Sequence, residues 1–315
     1  MVSNVSELPS RTSIWAAAAR AVGSRIDHPH WKNPDYLADK LIGPEERALI
    51  GEHALAKALE HDTPETLQEP EVQSAVMTLN VRTKFIDERL QRAIADGATQ
   101  VVIMGAGWDT RAHRFAGILR NARVFEIDQP ATQNWKRRRV QAAIGSDPAN
   151  LTYLPIDFRH QTLADVLTAA GYDATQKTFF IWEGVTMYLP AVAVSETLRW
   201  ISRQAPGSSL VFDFAYSDLI DSIAKINSGW EPPNEAGRVG AARLRQIKAW
   251  GEPWIFGVPT GASAEFLLEH GLEHRKTLGM SSTEAAQRYL GWNEDTPFPA
   301  AIRHFYAIAE AAIRG

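Results

Sequence analysis

From Gln100 onward the chain alternates short apolar runs with longer mixed stretches. The runs at 100–105, 123–128, 152–156, 178–183 and 208–214 are rich in Val, Ile, Leu and Phe, and turn residues bound them. That is the pattern of buried strands. Stretches of helical length separate them, and strands alternating with helices predict a doubly wound parallel sheet with right-handed crossovers. Glu273–Leu278 and Arg303–Ala309 supply two final strands, which makes seven. Pro253–Val258 is a further short apolar run, and Ala262–His270 reads as a helix closed by Gly271.

Before Gln100 there are no strand-like runs. The polar Met1–Ser13 reads as an unstructured start, and Thr12–Val22 begins an alanine-rich helix. Asn33-Pro-Asp35 opens a helix over Tyr36–Ile42, Pro44 opens another toward Leu59, and Glu69–Asp96 reads as two helical stretches. The expectation is an N-terminal helical cap over residues 1–97 on an α/β domain over 98–315. Between Tyr216 and Gly251 the alternation breaks into helix, the turn-rich Ser228–Asn234, and helix. An insertion of that kind before the last strands predicts a lid-like element over 216–251.

Composition narrows the class. The 315 residues are 45% hydrophobic and 22% charged, ordinary for a globular protein. A net charge of −4 gives no support to nucleic-acid binding. With no cysteine, thiol nucleophiles, disulfides and cysteine-ligated metals are excluded. The start lacks a basic region followed by an apolar core, and no apolar stretch is long enough to span a membrane. These features predict a cytoplasmic protein with no membrane partner.

The chemistry concentrates at the strand ends. Val101-Val-Ile-Met-Gly-Ala-Gly107 runs from an apolar strand into a Gly-x-Gly turn, where Gly105 and Gly107 let backbone approach a ligand. Val124-Phe-Glu-Ile-Asp128 ends in a carboxylate about 20 residues on, the spacing of a ribose-binding acid. The next two runs end in Asp157 and Glu183. In a parallel sheet all four positions fall on the carboxyl edge, where open α/β sheets bind ligands. The third glycine of the dinucleotide fingerprint is replaced by Thr110, after Asp109. Three carboxylates would also repel a pyrophosphate by about 1 kcal/mol or more per close pair. They suit a ligand carrying an ammonium and a sulfonium, such as S-adenosylmethionine.

Other residues qualify this picture. Glu126 shares Asp128's strand face and is the fallback ribose ligand if the strand end is misplaced. Trp108 and Trp182 flank the expected pocket as stacking or core residues. Lys136-Arg-Arg-Arg139 reads as a solvated helix face, and His28-Pro-His30 as a loop rather than a metal site. No catalytic metal is indicated.

Several motifs in order resemble the leucine carboxyl methyltransferase-like family of class I methyltransferases. They are Asn80-Val-Arg-Thr-Lys-Phe-Ile-Asp87, Gly105-Ala-Gly-Trp-Asp-Thr-Arg111, Phe125-Glu-Ile-Asp-Gln-Pro130, Pro155-Ile-Asp-Phe158 and Trp182-Glu-Gly-Val-Thr-Met-Tyr-Leu-Pro190. The resemblance runs from about Arg20 onward. It implies a seven-stranded Rossmann-like methyltransferase sheet with the last strand antiparallel. It implies that Arg82 binds the methionine carboxylate of S-adenosylmethionine, that Gly105 lies under the ligand, and that Asp128 holds the ribose. Asp157 and the backbone of Phe158 would read the adenine edge, Glu183 would meet the ammonium, and Tyr188 would face the acceptor. Phe158 stands where many members carry Leu, a change a backbone contact survives.

The expected activity is S-adenosylmethionine-dependent O-methylation of a carboxylate or hydroxyl on a small molecule. Alignment and exclusion of water would supply much of the catalysis. A carboxylate arrives ionised, whereas a hydroxyl needs a base, for which His113 and Tyr188 are the candidates. A nicotinamide-dependent oxidoreductase would keep the glycine turn and Asp128 but leave Asp157 and Glu183 unexplained. A non-catalytic nucleotide-binding protein is the third reading.

Overall fold

The structure is a computed structural model, and it describes all residues except 1–7, 52–53, 61–68, 158–159, 228, 230, 233–234, 296–305 and 315. The strands are β1 (Gln100–Met104), β2 (Arg123–Asp128), β3 (Leu151–Pro155), β4 (Thr178–Trp182), β5 (Ser209–Ala215), β6 (Leu272–Gly279) and β7 (Tyr306–Ile313). They form one seven-stranded sheet in the order β3-β2-β1-β4-β5-β7-β6. The first five are parallel, and β7 runs antiparallel to both β5 and β6. The order reverses between β1 and β4, so the carboxyl ends of β1, β2 and β4 border the crevice where such sheets bind ligands. β1 and β4 are buried along their whole length, which is why their sequences are apolar after the first residue.

Helices α1 (Arg11–Arg25), α2 (Ala38–Leu41), α3 (Pro44–Ile50), α4 (Ala54–Glu60) and α5 (Pro70–Ala95) precede the sheet. After β1 come α6 (Arg111–Arg114) and α7 (Ala116–Leu119), and after β2 comes α8 (Pro130–Ala143). α9 (Leu163–Ala169) follows β3, and a 3-10 turn at Thr186–Tyr188 and α10 (Ala191–Ile201) follow β4. α11 (Ser217–Asn227) and α12 (Glu235–Ala249) follow β5, α13 (Ser263–Glu269) precedes β6, and α14 (Thr283–Leu290) follows it. α1 is buried along most of its length and packs with α2, α3, α4 and α5 around a core of its own, which reaches Trp108 and Val140. Two further apolar clusters cover the sheet's faces.

Several sequence expectations are corrected. Glu69–Asp96 holds a single 26-residue helix, not two stretches. Val72, Val76, Leu79, Thr83, Ile86, Leu90 and Ala93 recur every three or four residues and are all buried, so one stripe runs its length. The helix expected from Pro44 toward Leu59 breaks at Gly51, whose φ of 72° lets its N–H reach back to the Arg47 and Ala48 carbonyls. Of the start expected to be unstructured, Arg11–Ser13 already belong to α1, and residues 1–7 lie outside the described residues. The short apolar run Pro253–Val258, given no element in the sequence reading, touches the ladder as a Tyr216–Val258 bridge. The last strand lies at Tyr306–Ile313 rather than Arg303–Ala309, with Arg303–Phe305 outside the described residues. Its register with β5 runs from Tyr306 opposite Ala215 to Ala312 opposite Ser209, and its side chains are buried on both faces of the sheet, which erases any polar alternation.

Candidate functional site

β1 ends at Met104, and the chain turns sharply through Gly105 and Gly107, at φ 65° and 45°. A Cβ on Gly105 would run into Cγ2 of Val185, so the turn is closed to any larger residue. Next along the edge, Asp128 ends β2. Its Oδ2 accepts from the Gly107 amide at 2.5 Å and its Oδ1 from the Gln129 amide at 2.7 Å. Burial pushes its carboxyl up to about 6, against the pull of those two amides.

Glu183 follows β4. Its Oε2 accepts from Nη1 of Arg111 at 2.6 Å, and its Oε1 lies 2.7 Å from Nε of Arg82. Burial alone would raise this carboxyl, but Arg111 and Arg82 hold it well below the ordinary carboxylate range. Arg82 comes from the middle of α5. Its Nη1 donates to Asp213 Oδ2 and to the Tyr306 hydroxyl, each at 3.0 Å. Asp213 also accepts from the Gly184 amide at 2.6 Å, which ties β5 to the loop after β4.

Arg111 also pairs with Asp109 and, at 2.8 Å, with Asp87. Thr110 donates to Asp35 at 2.6 Å, and Arg20 bonds both Asp35 and the Trp108 carbonyl. The departure from a third glycine therefore has a physical reason: Asp109 and Thr110 fasten the glycine turn to α6 and the Asp35 loop.

These groups border a cavity of about 730 Å³, in the upper part of the size range of ligand sites. Arg82, Gly105, Gly107, Asp128, Glu183 and Tyr188 all line it. Tyr188 is half-buried, and its desolvation raises its phenol although Thr12 and Trp254 bond it. Trp254 meets Tyr188 edge-on and stacks on Tyr306 at 6.0 Å. Trp108 also lines the cavity, whereas Trp182 is packed into the core on one face of the sheet.

Other nominated residues are not brought there. Asp157 is absent from the lining; its carbonyl accepts from the His160 and Gln161 amides. Phe158 lies outside the described residues. His113 is buried away from the cavity, with Nε2 3.1 Å from Asp147, and burial pulls its pKa down. Glu126 is no ribose ligand: it sits one pleat deeper than Asp128 and pairs with Lys136. Arg137 and Arg138 are exposed as expected of a solvated face, but Lys136 is 1% exposed and the half-buried Arg139 bonds the Leu41 carbonyl, so only part of the basic run is solvated. Burial pushes Glu126 up to about 7 despite Lys136 beside it.

Sequence reasoning missed Asp213 and Tyr306. An acid within the apolar run Leu210-Val-Phe-Asp-Phe214 was a usable signal, because a buried strand holds a charge only with a partner. Nothing local marks Tyr306.

The donor set suits S-adenosylmethionine: carboxylates for a ribose and an ammonium, a guanidinium for a carboxylate, and aromatic rings beside a sulfonium. Residues 13–202 match the family model of leucine carboxyl methyltransferase. A Bacillus subtilis protein named as an S-adenosyl-L-methionine-dependent methyltransferase is 32% identical over 229 residues, covering 69% of this chain and 75% of the relative. A Mycolicibacterium vanbaalenii protein of the same name is 36% identical over 170 residues, covering 53% and 54%. A solved structure from Thermobifida fusca, titled as a methyltransferase, superposes with a TM-score of 0.55 over 98% of this chain and 96% of its own, at 15% identity.

Proposed function

The chain belongs to the leucine carboxyl methyltransferase family and is an S-adenosylmethionine-dependent methyltransferase, and on that premise we propose that it methylates a carboxylate or hydroxyl oxygen of a small molecule. The observation that carries the oxygen acceptor is the cavity lining. Among its described residues there is no histidine or lysine, and Tyr188, with its phenol raised by burial, is a poor base. Such a site favours an acceptor that arrives ionised, as a carboxylate or acidic phenol does.

In this reading Arg82 meets the methionine carboxylate, Asp128 accepts from the ribose hydroxyls, and Glu183 faces the ammonium. Bound there, S-adenosylmethionine supplies a methyl group already activated by its sulfonium. The protein's part is alignment. Arg82 and Glu183 are fixed by Asp213, Tyr306 and Arg111, so they are set before ligand arrives. Tyr188 orients the acceptor oxygen, and Trp254 with the 216–251 insertion keeps water out. A cytoplasmic setting belongs to the same proposal. Among the described residues no helix is long and apolar enough to cross a membrane.

Calorimetric titration with S-adenosylmethionine and, separately, NADH tests the cofactor. A labelled-methyl transfer screen over carboxylic acids, phenols and amines tests the acceptor atom. Tight binding of S-adenosylmethionine alone, with label in ester or ether linkage, is expected. Label appearing only on nitrogen, or NADH as the sole ligand, would overturn the reading.

A further inference from the structure

The groups assigned to the cofactor lie at the sheet edge, and the far side of the cavity is built differently. Trp15, Met187, Trp250 and Trp254 line it there. The charged side chains among them have partners within the protein. Glu252 accepts from the Ser10 hydroxyl at 3.0 Å, from the Arg11 amide at 2.9 Å and from Thr12, and so caps α1. Arg243 and Arg11 hold their guanidinium carbons 3.9 Å and 4.8 Å from the ring centroids of Trp15 and Trp250.

Apolar side chains continue to the mouth. Ile255 lines the cavity and is 51% exposed, and Leu8 lines it at 52%. A residue that borders a cavity and also meets solvent stands where the cavity opens. Pro253 is exposed and Leu189 half-buried on the same lining. Exposed apolar side chains scattered singly are ordinary, whereas several gathered on the rim of one cavity mark a binding surface. The backbone sets Ile255 there. Its amide and that of Phe256 donate to the Met187 carbonyl, at 2.7 Å and 3.2 Å, which fixes the segment beside the turn that carries Tyr188. Trp254 and Phe256 on either side are buried, so Ile255 is the outward member of an alternation. Leu8 is brought to the same opening by the bonds of Ser10 and Arg11 to Glu252, which belongs to the Ile255 segment. A compact acceptor would end inside the cavity and leave both side chains in water. A longer one covers them, and each methylene it buries is favourable.

We propose that the methyl acceptor is an amphipathic molecule, with its reacting oxygen at Tyr188 and an apolar tail that runs out past Trp254 over Ile255 and Leu8. The inference rests on the methyltransferase reading of the same cavity and adds the shape and polarity of the acceptor. Ile255 and Leu8 read the length of the tail and take no part in the chemistry.

The test uses the full chain saturated with S-adenosylhomocysteine. It is titrated with straight-chain alkanoates from butanoate to tetradecanoate and with 4-alkylphenols of rising chain length, all below their micelle-forming concentrations. In at least one series affinity climbs by up to about fourfold per methylene and levels off once the tail passes the rim, with a single molecule bound per chain. Ile255→Ser and Leu8→Ser each flatten the upper part of the climb, where the tail reaches the rim. Circular dichroism checks that each variant is folded, and if one is not, the other still decides. Affinity independent of length in both series overturns the proposal. So do a climb unchanged in both serine variants, several molecules bound per chain, and no binding by any member. Any of these beside normal binding of S-adenosylhomocysteine overturns this inference alone. Failure to bind S-adenosylhomocysteine overturns the methyltransferase reading and this inference with it.

Discussion

Replacing Asp128 with asparagine separates the stability of the protein from its affinity for cofactor. The ordinary value of this carboxyl is 3.8, and burial pushes it up to about 6. Its charged form is therefore about 3 kcal/mol less favourable in the folded chain than in the unfolded one. The sign follows from the raised value: the stability present below pH 3.8 is lost as pH rises through 6. Asparagine never ionises and escapes that loss. It has its own cost, because both Asp128 oxygens accept backbone amides, from Gly107 and Gln129. The side-chain NH2 must face one of them, and an opposed buried donor costs about 1–3 kcal/mol. The two effects nearly cancel above pH 7, so the melting temperature of the ligand-free variant should stay close to that of the unaltered protein. Cofactor binding has no such cancellation. Losing an ionised acceptor for the ribose hydroxyls should weaken it by about 1–3 kcal/mol, roughly five- to 150-fold. Calorimetry from pH 5 to 8 adds a second arm. The unaltered protein should lose affinity about tenfold per pH unit below 6, as Asp128 takes up a proton, while the variant stays flat. Unchanged affinity in the variant, or a fall below pH 6 that persists in it, would refute the assignment of Asp128 to the ribose.

Other perturbations probe other parts. Lys136→Met strands Glu126, so the loss should approach about 3–5 kcal/mol at high pH and shrink toward pH 5, where Glu126 is protonated in either protein; urea denaturation at several pH values reads it, and a pH-independent loss would contradict the buried pair. Gly105→Ala forces a side chain to φ 65° and into Val185, at a cost of about 1–3 kcal/mol for the backbone alone. A lower melting temperature and weaker cofactor binding are expected together, and an alanine variant that behaves normally would show the turn to be open. Tyr188→Phe should lower kcat with cofactor affinity nearly intact, measured by steady-state kinetics beside calorimetry, and an equal loss of both would remove its place at the acceptor.

The sheet was legible because β1, β4 and most of β2 and β5 are buried on both faces and so read as largely apolar runs between turns. β7 was displaced in the reading because Tyr-Ala-Ile-Ala-Glu-Ala-Ala-Ile carries little strand signal. Alanine marks neither period, and burial of both faces removes alternation. Of the nominated ligands, those beside a strand end or motif were easy to name, and six of them border one cavity. The partners that hold them were not. Arg82 is fixed by Asp213 and Tyr306, which lie 131 and 224 residues away along the chain, and no local pattern encodes such a meeting. Lys136 misled for the opposite reason: its neighbours Arg137 and Arg138 belong to a basic surface, and only the fold turns one residue of the four against Glu126.

The placement of β7 between β5 and β6 bears on how the protein is made. While residues 306–313 are still unsynthesised, β5 presents an unpaired edge, β6 has no strand to pair with, and Arg82 lacks the hydroxyl of Tyr306. A nascent chain at that stage carries nearly all of its core but not a finished ligand site. Exposed edges are what chaperones and proteases engage. Truncated products should therefore be cleared rather than persist as proteins that bind cofactor without completing a reaction, so that insertion of the last strand acts as a checkpoint on synthesis.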